Sequence, residues 1–419
     1  MFAKIKNKIK KIRKTIQDYI IKLNNISHIK RINNKIKSNN KNNIIPVIID
    51  CEVITLNQYL EPVVEELLKL KNYKFNFYFG ESKKRNGISY CCYKRKNAFS
   101  NKLYQYLKGD MVFLSPHIYP KGPPNALKIF FDHSMCNTKY SFHPKEYYNN
   151  YNIYCVTGKL NKEKVIKRIN ELDLNNKIKV TDIGFPKTDK LFNGNLPCKI
   201  KVFSKINLEA DKKTILYAPS WEKGLSLREY GIDLIKSILD NKELNLIVKL
   251  HPVSLISKND DNYNFYTGGL DWLENISKFK HHSNFVFIND MKIDEYLYIS
   301  DIMITDLSSA ALEFLVLDKP VIYLDCPAFE ETYNTLYSLY SNISYSELLN
   351  DPDSNAGRHV GLINHDYRTI LNDIEYLISN PAYKKNERKE YSDLLLFNKG
   401  IASKTAAEMI LENYRELYE

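Results

Sequence analysis

The sequence predicts an α/β protein built on two parallel sheets. Short apolar segments rich in Ile, Val, Leu and Phe recur along the chain, and most precede a segment with the 3.6-residue periodicity of an amphipathic helix. With 419 residues, the chain is long enough for two or three domains. Alternation of strands and helices favours parallel sheets, in which ligands bind beyond the carboxyl ends of the strands.

The formal net charge of +12 belongs to one end of the chain. Residues 1–41 hold 13 Lys or Arg and a single acid, Asp18, whereas the remaining residues hold 48 basic and 48 acidic side chains. A neutral body lacks the basic excess of a nucleic-acid-binding protein, so we predict no nucleic-acid partner.

Residues 1–41 are predicted to form a basic amphipathic arm. Apolar side chains recur at steps of three and four from Phe2 to Leu23, and lysines fill the opposite face. This pattern suits an anionic membrane surface, where each lysine contributes on the order of 1 kcal/mol. The alternatives are a helix that packs its Ile face on the body, or a nucleic-acid arm. Residues 38–43 are interpreted as a linker.

Other features favour a peripheral protein at the cytoplasmic face of the membrane. The seven cysteines form no Cys-x-x-Cys pair, which is typical of reduced thiols in a reducing compartment. No apolar segment reaches the ~18 residues needed to span a bilayer, and the N-terminus lacks the apolar core of a signal peptide.

The first α/β half is predicted over residues 42–200. It contains predicted helices at 57–68, 98–107 and 162–172, and predicted strands at 44–50, 75–79, 111–114, 127–131 and 151–156. Residues 181–189, with Gly184 and Pro186, are interpreted as the crossover into the second half.

His133 follows the predicted strand 127–131 and is the candidate general base. An imidazole that titrates near neutral pH suits the removal of a proton from a hydroxyl. The neighbouring Asp132 either orients this ring or points away from it. The alternative is a structural histidine bonded to the backbone.

The second α/β half is predicted over residues 201–385, and residues 386–419 are predicted to pack back across the hinge. Two of its strands end in polar residues. Ser220 follows the strand 214–217 and offers a hydroxyl and a backbone N–H to a phosphate, and His251 follows the strand 245–250. The other strands are predicted at 285–288, 302–305 and 319–325, with helices around 234–238, 293–299, 366–379 and 400–417.

The turn after the strand 302–305 is the clearest candidate site. Asp306 ends the strand, and a helix is expected to begin at Ser308 or Ser309. Serine hydroxyls and free N–H groups at a helix N-terminus bind anions. We therefore predict that this turn binds a phosphate.

Glu313 is an isolated acid in the apolar helix that follows this turn. A buried carboxylate needs a partner. Since Glu313 lies one turn beyond the serines, we predict that it contacts a hydroxyl of a donor ribose. The alternative is an ion pair with a lysine such as Lys319.

These motifs together resemble the CDP-glycerol glycerophosphotransferase family of teichoic-acid and capsule synthesis. The resemblance covers roughly residues 125–365. The motifs that carry it are Ile183-Gly184-Phe185-Pro186 with Asp189, Leu216-Tyr217-Ala218-Pro219-Ser220-Trp221, Lys249-Leu250-His251-Pro252, and Thr305-Asp306-Leu307-Ser308-Ser309 with Glu313-Phe314 and Lys319-Pro320.

The resemblance implies a GT-B-like fold of two Rossmann-type domains, with the donor bound in the second. It implies a CDP-glycerol or similar CDP-polyol donor, a lipid-linked glycan acceptor and no further cofactor. In this family His133 matches the acceptor-side base, and His251, Ser308 and Ser309 match phosphate-binding residues. No DxD-like pair ends a strand, so we expect turnover without a metal. The resemblance leaves open whether the protein forms a homo-oligomer.

Two positions depart from the family pattern. Ser134 replaces a usual Gly, and Glu222 replaces a frequent Arg near the donor phosphates. Arg358, in a polar loop flanked by Gly357 and Gly361, is predicted to supply the missing cation; the alternative is a surface salt bridge. The rival functions are a GT-B glycosyltransferase that uses a nucleotide sugar, and a non-catalytic glycan-binding subunit.

Overall fold

The computed structural model describes residues 26–51, 57–81, 98–118, 121–133, 135, 145–290, 292–337 and 343–419. Two sheets organise these residues, and all strand pairs in both are parallel. The predicted α/β class with two parallel sheets is therefore confirmed.

The first sheet has seven strands in the order β3-β2-β1-β4-β5-β6-β7. Its strands are β1 (Ile44–Cys51), β2 (Lys74–Glu81), β3 (Ala98–Ser100), β4 (Val112–Ser115), β5 (Leu127–Phe131), β6 (Ile153–Val156) and β7 (Lys179–Asp182).

The second sheet has six strands in the order β10-β9-β8-β11-β12-β13. The strand order reverses between β8 and β11, which opens a crevice at their carboxyl ends. The strands are β8 (Lys213–Tyr217), β9 (Leu244–Val248), β10 (Phe285–Phe287), β11 (Ile302–Thr305), β12 (Val321–Leu324) and β13 (Leu362–Asn364).

Helices cover both sheets. In chain order they are α1 (26–41), α2 (Asn57–Lys69), α3 (Lys145–Tyr148), α4 (Lys159–Glu171), α5 (Asp189–Phe192), α6 (Lys199–Ile206), α7 (Ser226–Leu239), α8 (Tyr263–Thr267), α9 (Trp272–Ser277), α10 (Asp294–Ile299), α11 (Ala310–Leu315), α12 (Phe329–Leu336), α13 (Tyr345–Asn350), α14 (Ile370–Ser379), α15 (Lys385–Leu395) and α16 (Ala402–Tyr418).

Three elements differ from the sequence predictions. The helix predicted at 98–107 is wrong: Ala98–Ser100 extends the edge of the sheet by pairing with β2, and a short 3-10 helix follows over Asn101–Tyr106. β7 was not predicted because none of its residues is fully buried, so it carries no apolar run. β13 was missed because it has only three residues.

The helix α1 belongs to the first domain. Ile32 and Ile36 are buried in the core of that domain, and Asn39 donates a 2.9 Å hydrogen bond from Nδ2 to the Tyr78 hydroxyl. The linker predicted at 38–43 is therefore wrong, because α1 continues to residue 41 and a two-residue turn leads into β1. For residues 26–41 the structure supports the alternative, a helix that packs its Ile face on the body of the protein.

The apolar stripe that predicted membrane docking lies outside the described residues. Positions 1–25, which include Phe2 and Leu23, are not among them. The membrane-docking arm therefore stays a prediction for that segment.

The chain passes between the domains twice, and the two crossings are joined. Asp189 follows the first crossing, and its carboxylate accepts hydrogen bonds from the backbone N–H groups of Ala402 (3.0 Å) and Ser403 (2.7 Å) at the start of α16. Gly184, with φ of 94°, lies so close to the Phe397 carbonyl that a Cβ would be 2.3 Å from its oxygen. Close backbone approach at this point requires glycine.

The last two helices carry the chain through the second crossing and back to the first domain. α15 packs against α4 of the first domain and α11 of the second. α16 packs on α2 and β5, so Ala406 and Ile410 are buried in the core of the first domain. The C-terminal segment thus forms part of the first domain even though it follows the second in sequence.

We expect Ile36→Ala to destabilise the first domain by about 2–5 kcal/mol, because it removes a side chain that is 0% exposed and leaves a cavity. The measurement is urea unfolding followed by circular dichroism. Ile26→Ala, on the same helix but 43% exposed, is the matched control and should change the free energy of unfolding by less than about 0.5 kcal/mol. Equal effects of the two substitutions would show that α1 does not pack as described.

Candidate active site

The carboxyl ends of four adjacent strands form one edge of the second sheet. β9, β8, β11 and β12 are neighbours in that order and run parallel, so the residues after each strand lie along the same edge. His251, Ser220 and the Ser308–Ser309 pair follow three of these strands. The structure therefore places these predicted residues along a single crevice.

Asp306 is a structural centre of this edge and not a ligand residue. Its side chain is only 1% exposed. Its carboxylate accepts hydrogen bonds from the backbone N–H of Ser220 (2.9 Å), of Leu307 (2.8 Å) and of Ser226 (3.2 Å), and from the Ser226 hydroxyl (2.7 Å). The prediction that Asp306 binds substrate is wrong, because these four donors occupy its oxygens.

The same network changes the role predicted for Ser220. Its backbone N–H donates to Asp306 and is not available to a phosphate, whereas the role of its hydroxyl stays a prediction. Ser226, which ties the loop after β8 to Asp306, was missed because nothing in its local sequence marks it. Tyr217 bonds to the same Ser226 hydroxyl at 2.9 Å.

Ser308 and Ser309 form the turn that enters α11. The helix begins at Ala310, one or two residues later than predicted, and the Ala310 N–H donates to the Ser308 hydroxyl oxygen at 3.3 Å. Within the described part of the chain, the backbone N–H groups of Ser308 and Ser309 donate to no other residue. Two adjacent N–H donors therefore line the crevice, which suits the predicted phosphate.

His251 is exposed at the carboxyl end of β9 and begins a short 3-10 helix. Its Nδ1 accepts a 3.3 Å hydrogen bond from the Val253 N–H. Because Nδ1 accepts, the proton of the neutral ring is on Nε2. His251 is thus oriented to donate a hydrogen bond from Nε2, as contact with a phosphate oxygen requires.

His133 has the opposite tautomer. Its Nδ1 lies 2.9 Å from the carbonyl oxygen of Pro116, which can only accept, so Nδ1 carries the proton and Nε2 is the acceptor. This is the state that a general base needs, but the bond to Pro116 is also the backbone contact of the alternative, so the role of His133 as the base stays a prediction. Asp132, whose role was left open, is buried and accepts a 3.1 Å hydrogen bond from Asn161.

Glu313 forms a buried ion pair with Lys187. Lys187 Nζ donates to both carboxylate oxygens at 2.6 and 2.7 Å, and the side chains are 6% and 8% exposed. Burial opposes the charge on Lys187, but Glu313 holds the pKa of this ammonium above its ordinary value. The alternative, an ion pair with a lysine, is confirmed, but the lysine is Lys187 and not Lys319, which donates to the carbonyl oxygens of Leu297, Tyr298 and Ser300.

This ion pair joins the two domains beside the histidine of the first. Lys187 lies in the turn of the first crossing, and Glu313 lies on α11. Tyr59 of α2 covers Lys187 at 5.3 Å from its ring centre and contacts His133 edge-on, with the ring centres 6.2 Å apart. Neither Lys187 nor Tyr59 was predicted from the sequence as a site residue. The donor contact of Glu313 stays a prediction.

Arg358 does not reach the crevice as an unpaired cation. Its guanidinium is nearly buried and donates a 2.6 Å hydrogen bond to Asp325, the residue that follows β12. His365 Nδ1 lies 2.9 Å from the other oxygen of Asp325. The prediction that Arg358 supplies a phosphate-binding charge is not supported, because Asp325 neutralises it. The structure shows the salt bridge of the alternative, with the Arg358 and Asp325 side chains 11% and 27% exposed.

Two parallel α/β domains with such an edge on the second define the GT-B fold class. A sequence model of the CDP-glycerol:poly(glycerophosphate) glycerophosphotransferase family matches residues 132–354, more than half of the chain. The chain belongs to this family, which confirms the resemblance found in its motifs.

Curated relatives match only parts of their own length. A teichoic acid poly(glycerol phosphate) polymerase of Bacillus spizizenii is 26% identical over 241 residues, which are 54% of this chain and 52% of that protein. A teichoic acid glycerol-phosphate transferase of Staphylococcus aureus is 27% identical over 157 residues, or 35% of each protein. The chain thus matches between about a third and a half of the length of these two relatives.

Solved structures confirm the fold. The wall teichoic acid polymerase TagF superimposes with a TM-score of 0.62 at 18% identity, over 96% of this chain and 99% of that one. A complex of S. aureus MnaA with UDP superimposes with a TM-score of 0.55 at 13% identity, over 89% and 97% of the two chains. At these identities the likeness establishes the GT-B-like fold and nothing further.

Within the described ranges, no helix has both the length and the hydrophobicity needed to cross a bilayer. In the same ranges, His, Cys, Asp and Glu side chains form no group of three that could hold a metal ion. Turnover without a metal stays a prediction.

We expect Glu313→Gln to destabilise the protein by about 3–5 kcal/mol, because it leaves the Lys187 ammonium buried without a counter-charge. Thermal and urea unfolding measure this loss. The double substitution Lys187→Met/Glu313→Leu should recover most of it, since neither residue is then charged.

The matched control for this pair is Asp233→Asn, which breaks an ion pair with Lys236 whose side chains are both 59% exposed. It should change stability by less than about 1 kcal/mol. If Glu313→Gln is as mild as this control, the Lys187–Glu313 contact does not hold the domains together.

Proposed function

We propose that this chain transfers glycerol phosphate, or another polyol phosphate, from a CDP-activated donor to a hydroxyl of a membrane-linked glycan or polyol-phosphate acceptor, releasing CMP. The product would be a polymer of the teichoic-acid or capsule type. The observation that carries the proposal is the pair of opposite tautomers: His133 presents an acceptor nitrogen and His251 a donor nitrogen. A phosphotransfer reaction needs one of each.

In this mechanism Nε2 of His133 takes the proton of the acceptor hydroxyl. The oxygen forms a bond to the distal phosphorus of the CDP-polyol, and the bond from that phosphorus to the bridging oxygen breaks. CMP leaves with the electron pair. His251 and the N–H groups of Ser308 and Ser309 donate to the diphosphate and stabilise its developing charge.

The names of the relatives support this choice of donor. The family description and the B. spizizenii and S. aureus relatives name glycerol phosphate. A variant of TagF was solved after a soak with CDPG, and it superimposes on this chain with a TM-score of 0.60. The rival is a glycosyltransferase that uses a nucleotide sugar, since the MnaA complex with UDP shares the fold.

We further propose that the enzyme acts as a peripheral protein at the cytoplasmic face of the membrane. The support is the +12 charge of residues 1–41 beside a neutral body. Such an arm would bring a soluble donor to a lipid-linked acceptor without a spanning helix.

His133→Ala and His251→Ala should each lower CMP release from CDP-glycerol by roughly 100-fold or more, because one loses the base and the other a charge-stabilising donor. The assay is nucleotide release with a synthetic lipid-linked acceptor. His281→Ala, an exposed histidine on a turn, is the control and should keep the wild-type rate. Near-normal rates in both test variants would refute the assigned roles.

A donor screen separates the proposed function from its rival. We expect nucleotide release from CDP-glycerol or CDP-ribitol and none from UDP-sugars, with the product identified by mass spectrometry. Release from a UDP-sugar alone would establish the glycosyltransferase, and binding of no nucleotide would favour a non-catalytic glycan-binding subunit.

A further inference from the structure

Three aromatic side chains pack together beside the end of β8, and the mechanism above does not use them. The ring centre of Trp221 lies 5.4 Å from that of Phe265 and 4.9 Å from that of Tyr266, and the last two are 5.1 Å apart. Phe265 is 50% exposed, and Trp221 and Tyr266 are partly exposed. We call these three residues the aromatic platform. Aromatic surfaces with a few polar groups among them are typical of ligand sites.

The aromatic platform lies next to the crevice of the second domain. Trp221 directly follows Ser220, whose N–H is bound to the Asp306 carboxylate. The other two rings belong to α8, which packs on the short 3-10 helix that begins after His251. The platform therefore flanks the part of the edge where we propose that phosphate binds.

Glu222 adds a carboxylate to the platform. This residue follows Trp221, is partly exposed, and accepts a 3.2 Å hydrogen bond at Oε1 from the hydroxyl of Tyr337 at the end of α12. Burial raises the pKa of Tyr337, and the neighbouring Glu222 and Tyr266 raise it further, so this hydroxyl keeps its proton as a donor. Tyr337 thus holds the carboxylate beside the three rings.

Arg228 fixes the two sides of the platform relative to each other. Its guanidinium donates a 2.6 Å hydrogen bond to the carbonyl oxygen of Phe265 on α8. Burial lowers the pKa of Arg228, whereas the charge of Glu222 favours its protonated form. One cation therefore interacts with both the loop after β8 and the helix that carries two of the rings, so the platform is ordered before a ligand binds.

The chemistry of these groups selects an uncharged ligand with several hydroxyls. The C–H groups of a sugar or polyol pack on the electron-rich faces of aromatic rings. A carboxylate can only accept hydrogen bonds, so Glu222 matches hydroxyl groups and repels phosphate. The position where the family often has Arg is therefore suited here to a neutral part of a substrate and not to its phosphates.

We propose that the aromatic platform and Glu222 bind an uncharged sugar or polyol unit of a substrate, with its C–H groups on the exposed rings and its hydroxyls donated to the carboxylate. The inference rests on the proposed function for the phosphate that adjoins this unit. The platform itself requires only a hydroxylated ligand. Two sources carry such a unit, the polyol of the donor and the glycan or polyol of the acceptor.

The first test is binding by the full-length protein. For whichever substrate supplies the unit, Phe265→Ala should weaken binding roughly 3-fold or more through loss of a ring face, and Glu222→Gln roughly 5-fold through loss of a charged acceptor. The calorimetric affinity for CMP should match wild type in both variants, because CMP lacks the transferred polyol and the acceptor. Both side chains are partly exposed, so the melting temperatures should stay close to wild type.

Two arms of this experiment identify the source of the unit. A lower affinity for CDP-glycerol with an unchanged acceptor KM assigns the platform to the donor polyol. A raised KM for the synthetic lipid-linked acceptor with an unchanged CDP-glycerol affinity assigns it to the acceptor. Either result supports the inference.

Two substitutions outside the platform are matched controls. Tyr376→Ala removes an aromatic side chain on α14 that is 46% exposed. Glu331→Gln removes a carboxylate that is 77% exposed and pairs with Lys223. Both should leave the CDP-glycerol affinity and the acceptor KM unchanged.

Trp221 gives a second readout that does not depend on a nucleotide. The chain has two tryptophans, and the other, Trp272, is only 3% exposed. Addition of glycerol, ribitol or glucose should therefore change the fluorescence of Trp221 to a saturating value, and Trp221→Phe should abolish this change.

The outcomes separate this inference from the proposed function. Wild-type CDP-glycerol affinity and acceptor KM in both Phe265→Ala and Glu222→Gln would overturn the inference and leave the proposed function intact. A loss of CMP affinity in both variants would also overturn it, because the platform would then belong to the nucleotide site. A saturable Trp221 signal in a protein that binds neither CMP nor CDP-glycerol would retain the inference and refute the proposed function.

Discussion

The buried ion pair between Lys187 and Glu313 is the constraint on which the arrangement of the site depends. It joins the turn of the first crossing to the helix that follows the Ser308–Ser309 turn, in a region where each charge without the other would be strongly unfavourable. Tyr59 packs over the lysine and against His133. The position of His133 relative to the Ser308–Ser309 turn is therefore tied to one pair of charges.

Backbone contacts at the hinge reinforce this pair. Asp189, two residues after Lys187, caps α16, so the turn that presents the lysine is also bound to the C-terminal helix. α16 is in turn buried in the core of the first domain, and Gly184 lets the two crossings approach closely. The C-terminal helix and the turn that holds Lys187 are thus joined by direct contacts.

The polar groups at the carboxyl edge of the second sheet fall into two classes, carboxylates that are already paired and hydrogen-bond donors. Four hydrogen bonds occupy the carboxylate of Asp306, and Glu313 and Asp325 are each paired with a cation, so these carboxylates stabilise the fold at this edge. The groups at this edge that we propose to meet phosphate are the N–H groups of Ser308 and Ser309 and the His251 ring. Groups that are positioned before a ligand arrives stabilise its charge without reorganisation.

The sequence by itself determined the α/β class, most strands, and the three strand ends that carry His251, Ser220 and the Ser308–Ser309 pair, because apolar periodicity and strand-terminal polar residues are local signals. It did not reveal that Asp306 and Arg358 are occupied, that Lys187 partners Glu313 across 126 positions, or that residues 26–41 pack on the first domain. Those outcomes depend on which distant side chains meet. Only the tertiary structure decides this, because a buried charge is satisfied by whichever partner the fold brings within reach.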